Sequence, residues 1–367
     1  MMENRKVLSF GEDANASRAF LLEHGRIRRD GNRQALWFNW TGAGFSFRFE
    51  GTTLKARLYG YPEPETAPFD LPFTLMYPVV GTHTDGGELV RYKLAEGEQE
   101  LTLFEGTKGE HQLTLRKLSE NVMGKSALLS LETDGCFLAP PEAKTLKIEF
   151  AGDSITCGYG NEAKEPMGLR TEDENAESTY AYLAAKALDA EYSAVCVSGC
   201  AVTEPYPDME NRGMDTLYAC TDLPFERAFK NEEAEAWDFA AHKNDVVVIN
   251  LGTNDQMVLS MQGFSKEADM EFHRNYRMLL EQIREKNGKD TLIVSTLGPM
   301  GYYLWDEIRD IVKKYAEETG DGRIVCFKYG QMNIMSEGTG ADGHPSAKTH
   351  ARMARELAGF LKTQELK

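Results

Sequence analysis

Residues 148–161 read IEFAGDSITCGYGN, an apolar run that breaks at Gly-Asp-Ser. A serine hydroxyl is a weak nucleophile at neutral pH and requires a base within hydrogen-bond reach. Serine also ends strands for a local reason, because its hydroxyl competes for backbone hydrogen bonds, so Ser154 alone decides nothing. Of the seven histidines, His344 stands in ADGHPSAKTHARMA, directly before Pro345 and at the start of the last helical segment. The proline holds its predecessor extended and suits a first helical turn, which projects the ring outward. Asp342 lies two residues before His344, a spacing that lets its carboxylate accept the second ring N–H, orient the tautomer and stabilise the imidazolium. Attack on an ester carbonyl builds an oxyanion, which needs fixed donors. The candidates are the backbone N–H of Ser154, the N–H of Gly199, with no side chain to block approach, and the side-chain amide of Asn254.

These residues are scattered over two hundred positions, so a fold must gather them. Runs rich in β-branched residues occur at 145–152, 193–199, 245–252, 291–298 and 323–330. Between or after them lie segments of helical period: YAYLAAKAL at 180–188, a stripe of Phe272, Tyr276, Leu279, Leu280 and Ile283, another of Ile308, Ile311, Val312 and Tyr315, and a last one of Met353, Leu357 and Leu361. Continuous apolar strands alternating with helices predict an α/β domain of three layers, a parallel sheet covered on both faces. Ligands then bind at the carboxyl ends of the strands. Asp153 and Ser154 follow the first strand, Gly199 the second, and Thr253, Asn254 and Asp255 the third. Three deliveries of polar residues to one rim favour a site over a chance strand end. Tyr159, Tyr206, Tyr302, Tyr303 and Trp305 also follow strand ends. Their rings could form a platform for a ligand, with Tyr302 and Tyr303 after the Gly-Pro-Met-Gly loop as the preferred subsite.

Ahead of this region, residues 34–58 alternate apolar and polar side chains around glycine-rich turns, and the pattern returns at 89–94, 99–106, 111–118 and 127–135. Short, evenly spaced strands without helical period predict an all-β sandwich or jelly roll. APPEAK at 139–144 carries paired prolines that favour an extended connector. The expected domains are 1–142, all β, and 143–367, α/β.

Composition narrows the partners. The formal charge is −17, from 58 acidic against 41 basic residues, which disfavours nucleic acid and anionic membrane surfaces. No apolar stretch approaches a membrane span. The six cysteines form no CxxC pair, and MMENRKVLSF lacks an apolar leader core; both features favour a reducing cytoplasm. His344 and His350 are six apart, and no histidine or cysteine set has zinc spacing. The expectation is an enzyme with no metal and no cofactor. GYGNEA at 158–163 and GAGFSF at 42–47 lack the third glycine of a dinucleotide fingerprint. Thr156 replaces the last glycine of a GxSxG elbow. Oligomeric state leaves no trace in the sequence.

Four blocks, GDSIT at 152–156, Gly199 in VSGCA, GTND at 252–255 and DGHPS at 342–346, resemble in order those of the SGNH, or GDSL-like, hydrolases. An N-terminal β-domain with GFSFRFEGT before VVVINLGTND is similar to carbohydrate esterase family 2. The resemblance implies a jelly-roll domain packed on an SGNH domain. It implies an acetyl esterase acting on xylan or glucomannan oligosaccharides through an acetyl-enzyme, with transacetylation if a second sugar replaces water. It also implies Ser154 as nucleophile, His344 as base, and Ser154, Gly199 and Asn254 as oxyanion hole. Some members orient the histidine with a backbone carbonyl, so Asp342 is a less secure third member. A non-catalytic carbohydrate-binding protein and a lipid-type SGNH esterase or lysophospholipase stand as alternatives.

Overall fold

A computed structural model describes residues 6–10, 14–64, 75–203 and 213–366. The chain divides into two compact units, 1–143 with 170–172, and 144–169 with 173–367.

The first unit is built on antiparallel strands, with Gly44–Tyr61 paired along most of its length to Gly97–Lys117. The short strands expected at 89–94 and 127–135 form, as Val90–Lys93 and Lys125–Thr133, but two of the others are joined. Residues 99–106 and 111–117 belong to one strand of 21 residues, and Gly106 and Gly109 lie at a register shift between Glu105 and Gly109. Residues 106–108 stand opposite Thr52 alone, and the two extra residues are absorbed as a bulge, which bends the ribbon without ending it. Phe45, Phe47 and Phe49 alternate into the core with Leu113 and Leu115 from the partner strand.

The second unit carries the site, and its elements are numbered here. Strand β1 (Lys147–Gly152) is second from the edge of a sheet with β2 (Glu191–Cys196), β3 (Val246–Asn250), β4 (Leu292–Leu297) and β5 (Ile324–Lys328), in the order β2-β1-β3-β4-β5 and parallel throughout. Alternation along the strands divides their side chains between two faces. Ile148, Phe150, Val246, Val248 and Val294 form one core with Tyr180, Ala181 and Ala184 of the helix Tyr180–Ala187, and with Met353, Leu357 and Leu361 of the helix Ala347–Leu361. On the other face, the neighbourhood of Ser295 and Tyr276 places the long helix Lys266–Asn287. In register, Gly152 lies beside Cys196 and Asn250, so three chain segments leave the sheet at one level. Among the described residues no helix is long and apolar enough to cross a membrane.

Candidate active site

Ser154 begins a one-turn helix, α1 (Ser154–Cys157), whose amino end is capped by Asp153: its carboxylate Oδ1 accepts the Ile155 N–H at 2.9 Å. A short polar side chain at that position satisfies a donor the helix leaves open. Thr156 Oγ1 lies 2.9 Å from the buried Tyr180 hydroxyl, which anchors the turn from below. Ser154 is buried, at 8 % exposure.

The imidazole of His344 reaches this hydroxyl, with Nε2 2.9 Å from Ser154 Oγ. His344 is extended (φ −68°, ψ 167°), as the following proline requires. The helix begins later than expected, at Ala347 behind a Ser346 cap, so Pro345 precedes the helix. On its other edge, Nδ1 lies 3.2 Å from the backbone carbonyl of Ala341. A carbonyl only accepts, so Nδ1 carries the proton and Nε2 is left to accept from Ser154.

The expected role of Asp342 is therefore corrected. Its carboxylate turns away from the ring: Oδ2 accepts from the Tyr159 hydroxyl at 2.9 Å, and Oδ1 from Gly168 N–H at 3.1 Å. Asp342 sits in the left-handed region (φ 51°) of the 341–343 turn, and Tyr159 and Gly168 claim its carboxylate from far along the chain. Tyr159, expected as a ligand platform, instead lays its ring on His344 with centroids 4.3 Å apart. One face of that ring is thus spent on holding the imidazole.

Two further parts of this arrangement have no side-chain signature. Gly160 carries the segment after α1 against the histidine loop: Ala341 N–H donates to Gly160 C=O at 3.0 Å, and a Cβ on Gly160 would stand 2.3 Å from that of Ala341. Only glycine permits that approach. Asn161 C=O accepts the Ala347 N–H at 2.8 Å, fastening the same segment to the last helix. The GYGN stretch packs against the segment that carries His344.

Gly199 follows β2 in a left-handed turn (φ 79°). Among the described residues neither its N–H nor that of Ser154 meets a protein acceptor. Asn254 lies in the first turn of the helix Thr253–Met261, numbered α2. Its Nδ2 donates to Cys200 C=O at 2.8 Å and lies 3.4 Å from Asp153 Oδ2. One amide hydrogen is engaged and the second is only loosely held, beside the residue that precedes the nucleophile. Two backbone N–H groups and an amide thus follow the ends of three neighbouring strands.

Burial is the largest influence on His344 and pushes its pKa below the ordinary 6.5, against the upward pull of Ala341 C=O and the Asp342 charge. His350, fully buried, is pushed down to about 3 and accepts from Tyr180 N–H at 3.1 Å; it stays neutral through the working range. A base works only when neutral, so kcat/KM rises with pH through a single ionisation below 6.5 and then levels. Asp342→Asn removes a charge that favours the imidazolium, which moves this limb to lower pH. It costs less than about tenfold in kcat, against about 10^4 for a carboxylate in contact with the ring. A pH series of both proteins on 4-nitrophenyl acetate checks this; a 10^4 loss would restore Asp342 as the ring's partner.

The remaining rim aromatics divide. Tyr302 donates its hydroxyl to Tyr329 C=O at 2.9 Å, and Lys328 Nζ sits 4.7 Å from its ring centroid and 5.5 Å from that of Trp305. A cation on an aromatic face is a stable partner in its own right, so these rings present less open surface than expected. Tyr303 is 52 % exposed and packs on Phe264 at 4.9 Å, a partner the sequence reading did not include. Tyr206 lies outside the described residues.

Residues 150–352 match the model of the GDSL-like lipase/acylhydrolase family, and residues 23–141 that of the carbohydrate esterase 2 N-terminal domain. The chain belongs to the GDSL-like lipase/acylhydrolase family and, with this N-terminal domain, to its carbohydrate esterase family 2 members. It is similar to the cellulase/esterase CelE of Acetivibrio thermocellus, 31 % identical over 290 residues, 76 % of this chain and 33 % of CelE, so it spans about a third of that protein's length. The acetylxylan esterase / glucomannan deacetylase of Cellvibrio japonicus is 26 % identical over 273 residues, 74 % of this chain and 72 % of that one. A family two carbohydrate esterase from Clostridium thermocellum, solved in complex with cellohexaose, superposes with a TM-score of 0.78 at 28 % identity over 94 % of this chain and 98 % of that chain.

Proposed function

We propose that the chain is a serine carbohydrate deacetylase that removes O-acetyl groups from xylan- or glucomannan-derived oligosaccharides. The observation that carries the reading is the 2.9 Å contact between Ser154 Oγ and His344 Nε2 inside the segment matching the GDSL-like family. The acetyl-sugar specificity rests on the carbohydrate esterase 2 N-terminal match and on relatives named for deacetylating xylan and glucomannan.

Ser154 Oγ attacks the acetyl carbonyl carbon while its proton passes to His344 Nε2. The carbonyl oxygen, now negative, lies among the N–H of Ser154, the N–H of Gly199 and the Asn254 amide. As the C–O bond to the sugar breaks, His344 returns the proton to the leaving sugar oxygen. Water then attacks the acetyl-enzyme with His344 again as base, releasing acetate and restoring the serine. Throughout, the imidazolium is steadied by the Ala341 carbonyl dipole. The exposed Tyr303–Phe264 pair offers the sugar ring a surface. The six free thiols, with Cys157, Cys196 and Cys200 buried, support a reducing, cytoplasmic setting.

The test is acetate release from acetylated xylo- and manno-oligosaccharides, run beside a 4-nitrophenyl ester series from acetyl to dodecanoyl. The expected result is release from the sugars and kcat/KM that falls as the acyl chain lengthens. Preference for long chains with inert acetyl sugars would make it a lipid-type esterase. Tight binding of the sugars without turnover would make it a carbohydrate-binding protein.

A further inference from the structure

We propose that Asp255, which takes no part in the chemistry above, is the positioning residue of the oxyanion hole, gripping the loop that carries Gly199 onto the helix that carries Asn254. The proposal rests on the esterase reading.

Asn254 and Asp255 are consecutive residues in the first turn of α2, so their side chains diverge around the helix. Asn254 Nδ2 donates to Cys200 C=O at 2.8 Å, and Asp255 Oδ1 accepts from Val202 N–H at 3.0 Å. Two neighbouring side chains thus hold the segment 200–202 at two points, a carbonyl and an amide two residues apart. The far side of this segment is fixed as well, since Met214 N–H donates to Ala201 C=O and Asp215 N–H to Val202 C=O, each at 3.0 Å. Gly199 stands at the head of the gripped segment. Its N–H and the Asn254 amide come from different strand ends, and the Asp255 bond joins the two.

Cys200, Ala201 and Val202 are buried, and Asp255 is 7 % exposed. A buried N–H deprived of its acceptor carries a desolvation penalty, so without Asp255 the segment relaxes toward another partner. Space for that movement exists: Ala201, Thr203 and Asp255 line a cavity of about 210 Å3 with Phe272 and Asn275. The segment can therefore shift without the core opening, and the loss falls on the geometry of the donors. Burial pushes the Asp255 carboxyl up to about 7. A carbonyl-type oxygen suffices to accept the Val202 N–H, so a neutral amide can stand in.

The test compares wild type with Asp255→Asn, Asp255→Ala and Asp255→Leu, the last matching the side chain in size without an acceptor. Steady-state kcat and KM on 4-nitrophenyl acetate are measured together with thermal unfolding and hydrogen exchange at Val202. We expect kcat to fall by about 10- to 100-fold in the Ala and Leu variants with KM within about threefold. Val202 exchange quickens in these variants, and Asp255→Asn recovers kcat to within about threefold. The Leu variant decides if the Ala variant does not fold. Unchanged kcat in Ala or Leu, or an Asn variant as impaired as they are, overturns the role of Asp255 while leaving the esterase intact. A wild type that turns over no ester overturns both.

Discussion

Ser154→Ala leaves a folded protein whose kcat on 4-nitrophenyl acetate is lower by about 10^4- to 10^6-fold, and His344→Ala falls as far. The two act as one device, because the hydroxyl attacks only as its proton moves to Nε2 across the 2.9 Å contact. Losses in such a unit are not additive, so the double variant is expected to be no slower than either single one. Residual turnover above the uncatalysed rate then reports the oxyanion donors and binding alone. Stability stays close to wild type, since Ser154 Oγ supports no part of the fold besides His344 and α1 keeps its Asp153 cap. Steady-state kinetics on the three variants, with circular dichroism to establish folding, check this. A Ser154→Ala protein as active as wild type would remove the serine from the mechanism, and multiplicative losses would mean that serine and histidine work separately.

That serine and histidine were legible in the sequence because each sits in a short contiguous block beside a strand end or a proline, and both features act on their immediate neighbours. The parallel sheet was legible for a similar reason, since Val246–Asn250 is apolar at nearly every position and buried throughout. What escaped depends on residues far along the chain. Asp342 and the Ala341 carbonyl lie two and three residues before His344 in sequence. The choice between them is made by the left-handed turn at Asp342 and by Tyr159 and Gly168, which claim its carboxylate from more than 170 positions away. A backbone carbonyl has no letter by which to be read. Tyr302 and Trp305 follow a strand end as expected, yet Lys328 arrives at their faces from the end of the neighbouring strand. In the first unit, Gly106 and Gly109 carry turn chemistry, and only the long partner strand converts it into a bulge. Local signals located the Ser154–His344 pair; longer-range contacts decide what surrounds it.

Asn254 carries the second large effect. Its amide is fixed before any ester arrives, with one hydrogen on Cys200 C=O at 2.8 Å and the other facing Asp153 at 3.4 Å. A donor held in place needs no reorganisation as the oxyanion forms, which is why such groups contribute more than a hydrogen bond made in water. The contact at 3.4 Å is weak, so the second hydrogen is readily turned to a developing charge. Asn254→Ala should therefore lower kcat by about 10^2- to 10^3-fold, or about 2.7 to 4 kcal/mol of barrier, with KM nearly unchanged because the neutral ester carbonyl makes little use of the donor. Asn254→Asp should be worse, since a carboxylate supplies no donor and sets a second negative charge beside Asp153. Steady-state kinetics on both variants separate kcat from KM. A drop of less than about fivefold in Asn254→Ala would leave the two backbone N–H groups as the whole of the oxyanion hole, whereas a rise in KM at constant kcat would recast Asn254 as a ground-state binding residue.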